Sequence, residues 1–216
     1  MSLSRKKAVV VVTICVSLAL LLLLNPTAKR TIRITGSTLF ARVSSPTNEP
    51  FPSVNTNGLN DIQKKILNLT QEEYAKKPVS YDSNVLTYSE GVKESWCADF
   101  VSWIMKESGE PYTNPNSGHW RIPGVLTLQE YYKSEKRYID ADANYTPQTG
   151  DVAIYIGTKT LDQRSNQHTN IILKTDGDYM YTIGGNERGR LRIDKQNYKE
   201  KQNSLIGFGT LERMGN

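Results

Sequence analysis

Cysteine is scarce in this sequence: only Cys15 and Cys97 occur among its 216 residues. Cys15 lies in an apolar N-terminal run, so a disulfide between the two is implausible and a disulfide framework is excluded. Histidine is equally scarce, with two residues, and no Cys/His spacing typical of a zinc site is present. Gly-rich phosphate loops and paired-carboxylate signatures are lacking too. We therefore expect no metal and no cofactor.

The excess of positive charge is small. Lys and Arg number 27 against 22 Asp and Glu, which gives a net charge of +5. The basic residues form no stripe of the kind that a nucleic-acid binder needs, so we expect no nucleic-acid partner. The charge either serves solubility or attracts the chain to an anionic surface such as a cell wall or lipid headgroups.

A long hydrophobic run occurs once, at Ala8–Leu24, directly after three basic residues. As a helix it spans about 25 Å, the short end of what crosses a bilayer. Because residues 25–30 offer no small-x-small cleavage site, we predict an uncleaved signal anchor in residues 1–28 that places the rest of the chain outside the cytoplasm. Cleavage of this segment would instead give a secreted protein.

Two further regions follow the anchor. Residues 29–58 are rich in Pro, Ser, Thr and Asn, which predicts a flexible linker. Residues 59–216 have globular patterning, and apolar residues recur at helical spacing from Leu59 until Pro78 ends the helix. A second helix is predicted from a Ser95 cap through Ser108, with Gly109 just past its end.

β-prone segments dominate the last third of the chain. They are Val152–Ile156, Thr169–Lys174, Tyr179–Ile183, Leu191–Ile193 and Leu205–Phe208. Asp176-Gly177 between two of them is a strong hairpin signal. The pattern predicts an α+β domain, with N-terminal helices packed on a small antiparallel sheet.

Cys97 admits two interpretations. It begins an apolar stripe along its predicted helix, which favours a buried core position. It also lies in the first turn, where free backbone N–H groups and the helix dipole stabilise a thiolate and can hold an oxyanion. Spacing alone does not decide between a core residue and a nucleophile.

A nucleophilic cysteine needs a base, and the sequence offers two histidines. His119 lies in a loop-like stretch, whereas His168 directly precedes a β-prone run that can hold its ring rigidly. Position therefore favours His168. Asn186, at the far end of the paired strand, is the candidate for orienting the imidazole, with Glu187 as its rival.

Four motifs in order resemble the CHAP domains, the cysteine- and histidine-dependent amidohydrolases/peptidases. They are Glu94–Trp103, Pro147–Tyr155, His168–Ile172 and Thr182–Asn186. The resemblance implies a papain-like fold and hydrolysis of peptidoglycan amide bonds, and with the anchor it makes peptidoglycan and the membrane the expected partners. No protein partner is indicated.

The same resemblance assigns the nucleophile to Cys97, the base to His168 and the orienting residue to Asn186. Many CHAP domains carry Glu two positions before that Asn, where this chain has Gly184. Two alternatives stay open on the same fold: a non-catalytic wall-binding or assembly module, and a protein-directed cysteine protease. Candidate substrate contacts come from aromatic side chains, which stack well on sugars and peptides: Trp96, Trp120 and Tyr155.

The segment from Asp140 to Asp151 has the spacing of a calcium loop. However, Tyr145 stands where the sharp turn needs Gly, and Asp151 replaces the usual bidentate Glu. An ordinary acidic loop is the favoured interpretation.

Overall fold

The computed structural model describes residues 50–157, 167–200 and 204–212. The predicted signal anchor at 1–28 and most of the predicted linker lie outside these ranges. Among the described residues, no helix combines the length and the apolar character that a membrane crossing requires.

Helices come first in the described chain and the sheet follows. The helices are α1 (Asp61–Ala75), α2 (Ser83–Tyr88), α3 (Cys97–Ser108) and α4 (Val125–Ser134). The strands are β1 (Tyr138–Asp140), β2 (Val152–Ile156), β3 (Gln167–Asp176), β4 (Tyr179–Glu187), β5 (Arg190–Asn197) and β6 (Leu205–Gly209). They form one antiparallel sheet in the order β1-β6-β2-β3-β4-β5. The predicted α+β class is confirmed.

The start of α1 explains why this helix forms where it does. The Asn60 side chain accepts from the Gln63 backbone N–H, and the Gln63 side chain accepts in return from the Asn60 N–H. This capping box satisfies two donors that the first turn would otherwise leave open. The helix ends at Ala75, ahead of Pro78.

Apolar packing occurs on both faces of the sheet. The helices cover one face, where Phe100 and Ile104 of α3 join Ile171 and Ile183 in one buried cluster. A smaller cluster on the other side is formed by Ala153, Tyr155, Ile172, Met180, Tyr198 and Phe208. The site described below lies where the start of α3 meets strands β3 and β4.

The ordered domain begins before residue 59. Phe51 and Val54 pack against the core, and the Phe51 ring lies 6.3 Å from that of Tyr74. Lys174 Nζ also donates to the Ser53 carbonyl at 3.1 Å. The end of the predicted linker is therefore part of the domain, because its few apolar residues find a partly buried place on it.

Helix α3 starts without the predicted Ser95 cap. The residue at the cap position is Trp96, and no side chain caps the first turn. The other end is as predicted: Gly109 adopts the left-handed conformation, with φ of 103°. The first-turn N–H groups beside Cys97 are consequently not used by a capping side chain.

Candidate active site

Cys97 is the first residue of α3 and is only 6% exposed. Strand β4 approaches this helix closely at Gly185, where an added Cβ would lie 2.7 Å from the Trp96 ring and 2.9 Å from Phe100. No side chain fits between the two elements, so glycine is required there. This contact holds the helix start against the strand that carries the other end of the site.

His168 is the residue that the structure brings to Cys97. Its imidazole is hydrogen-bonded to the Cys97 sulfur, and its Nε2 lies 3.1 Å from Glu187 Oε1. Because Nε2 contacts the Glu187 carboxylate, Nδ1 is the nitrogen that can exchange a proton with the Cys97 sulfur. His119 is elsewhere: its side chain is 51% exposed and its Nδ1 is 3.7 Å from Glu90 Oε2.

The charges around His168 favour its protonated form. Burial lowers the pKa of His168, but the hydrogen bonds and negative charges of Cys97 and Glu187 outweigh burial and raise it to about 10. At neutral pH the imidazole beside Cys97 is therefore an imidazolium, the partner that supports nucleophilic cysteines in other enzymes.

The carboxylate on His168 belongs to Glu187, and the Asn186 amide is not the group hydrogen-bonded to Nε2. The physical reason is a β-bulge. Gly184 pairs with Arg192 and Glu187 with Arg190, so three steps on β4 match two on β5. Because paired residues share a face, the extra residue brings Glu187 to the same face as Gly184. Simple alternation along the strand had placed Glu187 on the opposite face.

The backbone of Asn186 accommodates this β-bulge. It has φ of 60°, in the left-handed region, which is uncommon outside glycine but tolerated best by Asn and Asp. Its side chain lines the same cavity as His168. An orienting contact between Asn186 and the imidazole stays a prediction, because the hydrogen bond that the ring makes on this side is to Glu187.

Asn170 supports the Glu187 carboxylate from below. Its Nδ2 donates to Glu187 Oε1 and to Thr182 Oγ1, both at 3.1 Å, and the residue is 3% exposed. A Cβ at Gly184 would overlap Asn170 Oδ1 and lie 2.5 Å from Glu187 Oε1. Glu187 and Asn170 thus fill the space that a side chain at position 184 would occupy.

Asp194 is a second carboxyl beside Glu187. Burial raises the pKa of Asp194 most, and the charge and hydrogen bond of Glu187 add to it, so the pKa is about 7 although His168 and Arg192 lower it. Near neutral pH Asp194 therefore carries a proton part of the time.

A cavity of about 280 Å³ opens beside His168. Its other lining residues are Tyr155, Asn170, Asn186, Glu187, Asp194, Gln196 and Ser204. Tyr155, one of the predicted substrate contacts, has its ring 6.2 Å from that of His168, and its hydroxyl accepts from Gln196 Nε2. Polar acceptors therefore dominate the surroundings of the imidazole.

The other two predicted substrate contacts lie elsewhere. Trp96 is 1% exposed, and its Nε1 donates to Ser80 Oγ at 3.0 Å. It is a core residue, so the prediction that it touches substrate is wrong: the apolar packing between α3 and β4 encloses it. Trp120 does not line the His168 cavity, and its ring lies 5.0 Å from Lys106 Nζ.

An ion-pair network behind the nucleophile was not predicted from the sequence. Arg121 Nη1 donates to Asp99 Oδ1 at 2.9 Å and to Glu94 Oε1 at 2.6 Å. Asp99 is fully buried in the first turns of α3, and burial raises its pKa to about 7 although Arg121 lowers it. The network ties the loop containing Trp120 to the Cys97 helix. The signal available was an acidic residue within an otherwise apolar helix face.

Asp151, the last residue of the segment with calcium-loop spacing, accepts hydrogen bonds from residues of its own turn. Its Oδ2 accepts from the Tyr145 hydroxyl at 2.5 Å and from the Gln148 N–H at 2.7 Å. In the described ranges no three His, Cys, Asp or Glu residues form a group able to hold a metal ion.

The described domain thus combines helices and an antiparallel sheet with a thiol, an imidazole and a carboxylate in contact. Residues 87–186 match the family model of the CHAP domain. The match ends one residue before Glu187.

Comparisons with whole proteins add the following. A search of curated proteins found no match. Among solved structures, the chain is similar to the crystal structure of Ly7917, with a TM-score of 0.41 and 10% identity over 72% of this chain and 62% of that one. It is also similar to Ly7917 with the hydrolyzing product of MDP, with a TM-score of 0.41 and 12% identity over 68% and 61%. The chain therefore spans about three fifths of those structures.

Proposed function

We propose that this chain hydrolyses amide bonds of bacterial peptidoglycan, with Cys97 as nucleophile. The observation that carries the proposal is the contact of Cys97, His168 and Glu187 at an uncapped helix start. The match of residues 87–186 to the CHAP domain model supports the wall substrate, and the net charge of +5 suits an anionic wall.

The first step is acylation. The Cys97 thiolate attacks the amide carbonyl carbon, a C–S bond forms, and the carbonyl electron pair moves to oxygen. N–H groups of the first turn of α3 are suited to hold this oxyanion. As the C–N bond breaks, His168 gives its proton to the departing amine, which leaves a thioester on Cys97.

The second step is hydrolysis of the thioester. His168, now neutral, takes a proton from water as the water oxygen attacks the thioester carbon. The C–S bond breaks, the product leaves as a carboxylic acid, and Cys97 returns as thiolate beside the imidazolium. The proton lost to the amine in the first step is thereby regained from water.

Glu187 orients the base in this mechanism. Its carboxylate accepts the Nε2 proton of His168, which leaves Nδ1 facing sulfur and stabilises the imidazolium, the role of the third member in other nucleophile–base pairs. Asn170 fixes the carboxylate. Asn186, in the same cavity, is retained as a further candidate that contacts the ring or the substrate.

We further propose a papain-like arrangement of the domain and an extracytoplasmic location. The run Ala8–Leu24 would anchor the chain in the membrane, with residues 29–58 as the connection to the domain. These segments lie outside the described residues except for residues 50–58.

The proposal is tested by digestion of purified peptidoglycan with the full chain and with Cys97→Ala and Cys97→Ser. We expect the parent chain to release fragments with new amino and carboxyl termini, identified by mass spectrometry. Both variants should be inactive, with a loss of about 10⁶-fold as for nucleophile removal in other hydrolases. Both variants should remain folded, with a somewhat lower melting temperature because each removes the interaction between the Cys97 sulfur and the His168 imidazole.

Two outcomes contradict the proposal. A folded Cys97→Ala chain with activity within twofold of the parent would exclude thiol catalysis. Retention of the chain on peptidoglycan with no new termini would indicate a wall-binding module instead.

A further inference from the structure

A second cavity lies at the outer edge of the sheet, between the end of α1 and strand β5. Its volume is about 210 Å³, and it is lined by Tyr74, Lys77, Pro78, Arg190, Leu191 and Arg192. The chain after α1 closes it along the strand edge, because Val79 pairs with Arg190 and the Ser80 N–H donates to the Gly189 carbonyl at 2.9 Å. It shares no lining residue with the His168 cavity.

Positive charge converges on this cavity. Lys77, Arg190 and Arg192 all line it, and none of its lining residues is acidic. Within the described ranges, no ion pair involves any of these three side chains. Like charges around a small, partly enclosed volume repel one another, and an anion placed between them relieves that repulsion.

Arg192 adds a donor without an acceptor. Its Nε donates to the Glu187 carbonyl at 3.2 Å, which fixes the guanidinium plane. Its Nη1 is buried and has no hydrogen-bond partner among the described residues. A buried donor left unpaired costs free energy, so the Arg192 guanidinium is not saturated by acceptors of the described residues.

Asp194, whose charge interacts with Arg192, does not line this cavity. It lines the His168 cavity instead. Among the residues that line the second cavity, Arg192 therefore has no acidic neighbour.

We propose that this cavity binds a carboxylate of the peptidoglycan stem peptide, an inference that rests on the function proposed above. A planar carboxylate matches the donor geometry of a guanidinium, which makes Arg the usual partner for such groups. Lys77 and Arg190, both exposed, supply charge at the rim. Buried Pro78 and Leu191 offer apolar contact for the adjoining aliphatic chain, and the volume is too small for a disaccharide.

The location also links the cavity to the reaction. Arg192 holds the backbone carbonyl of Glu187, whose side chain holds His168. A carboxylate on Arg192 is therefore bound directly behind the hairpin end that orients the base. Substrate is thereby anchored by charge at a fixed place relative to His168.

The test is calorimetric titration of the full chain carrying Cys97→Ala, which prevents turnover. The ligands are synthetic stem peptides with carboxylates either free or converted to primary amides, a change that removes charge with little change of shape. The variant Lys77→Gln/Arg190→Gln removes two charges from the cavity. Its matched control, Lys65→Gln/Lys93→Gln, removes two exposed charges that do not line it.

We expect the free carboxylate peptide to bind about tenfold more tightly than its amide, and the difference to fall below about threefold in the cavity variant. The control variant should keep the full difference. Equal binding of the two peptides to the parent chain, or an equal loss in both double variants, would overturn the proposal.

Acetate titrated at constant ionic strength separates this proposal from that for the enzyme. Binding of acetate that depends on Lys77 and Arg190, with no binding of either peptide, would keep the anion site but exclude the stem peptide as its ligand. If the chain cleaves peptidoglycan but the cavity variant binds every carboxylate ligand as tightly as the parent chain does, the proposed function stands and the proposed anion site is excluded.

Discussion

The helix start that carries Cys97 and the hairpin end that carries Glu187 hold their side chains by different means. Cys97 sits in regular helix, fixed by close packing of Trp96 and Phe100 on Gly185. Glu187 sits in irregular backbone, and a hydrogen bond from Asn170 helps to fix its carboxylate. Packing resists movement in every direction, whereas the hydrogen-bonded carboxylate depends on a few donors. Substitutions on the helix should therefore abolish the reaction, whereas substitutions on the hairpin should lower its rate only in part.

The largest effect after loss of Cys97 is expected from loss of the His168 imidazole, which interacts with both Cys97 and Glu187. His168→Ala should lower kcat by about 10⁴-fold or more, since tightly coupled nucleophile–base pairs fail together. His119→Ala is the matched histidine control and should stay within about threefold, because His119 is half exposed and paired to Glu90. Steady-state kinetics on soluble muropeptides would measure both, and the reverse ranking would move the site to the His119 loop.

The next effect distinguishes two neighbouring residues of the hairpin. Glu187→Ala should lower kcat/KM by about 10²–10³-fold, because the imidazole loses the acceptor that fixes its tautomer. Asn186→Ala should lower it by about tenfold or less. Glu187→Gln keeps the shape and should fall between the two. If Asn186→Ala proved the more damaging, Asn186 would be the orienting group in solution and the bulge would differ from the one described here.

A smaller effect is expected where the bulge leaves room for the carboxylate. Gly184→Ala places a Cβ against Asn170 and Glu187, so kcat should fall about tenfold with an unfolding free energy lower by about 1–3 kcal/mol. Asn170→Ala should give a similar loss of kcat by freeing Glu187. Neither variant should change the rate at which small alkylating reagents attack Cys97 by more than about threefold. A much lower alkylation rate would mean that the substitution also alters the start of α3.

The mildest change concerns pH. Because the folded-state pKa of His168, about 10, lies above its ordinary value of 6.5, protonation of the imidazole stabilises the fold fully below pH 6.5 and this contribution is lost as pH rises towards 10. Cys97→Ala and Glu187→Gln should each lower the pKa of His168, since each removes a hydrogen bond and a negative charge. NMR titration of the imidazole measures the shift. An unchanged pKa in Cys97→Ala would rule out the thiolate–imidazolium pair.

The regular parts of this domain were predictable from its sequence. The apolar stripe of α3, the glycine at its end and the placement of His168, not His119, beside Cys97 all depend on local spacing and turn chemistry. The later strands also lie where β-prone residues cluster. Strand β1 was not predicted because three residues are too few to show a period.

The irregular part was not predictable from spacing. The choice of Asn186 over Glu187 assumed strict alternation along β4, and one extra residue in the strand also brings Glu187 to the face on which Gly184 lies. Trp96 was misassigned for a related reason: whether an aromatic residue beside a nucleophile faces substrate or core depends on how closely Gly185 approaches it. Both outcomes are set by tertiary contacts between elements far apart in the sequence.

The chain after α1, which bonds to β5 through Val79 and Ser80, also bears on self-association. The outermost strand of a sheet exposes backbone donors and acceptors that can pair with a neighbouring molecule. Here the Ser80 N–H occupies the Gly189 carbonyl at that edge, and the opposite edge strand, β1, has only three residues. The β1 edge is therefore too short for a long free ladder, whereas the chain after α1 pairs with β5 only at its first residue, Arg190. If crowded copies of this domain join sheet to sheet, we expect them to do so along β5 and not along β1.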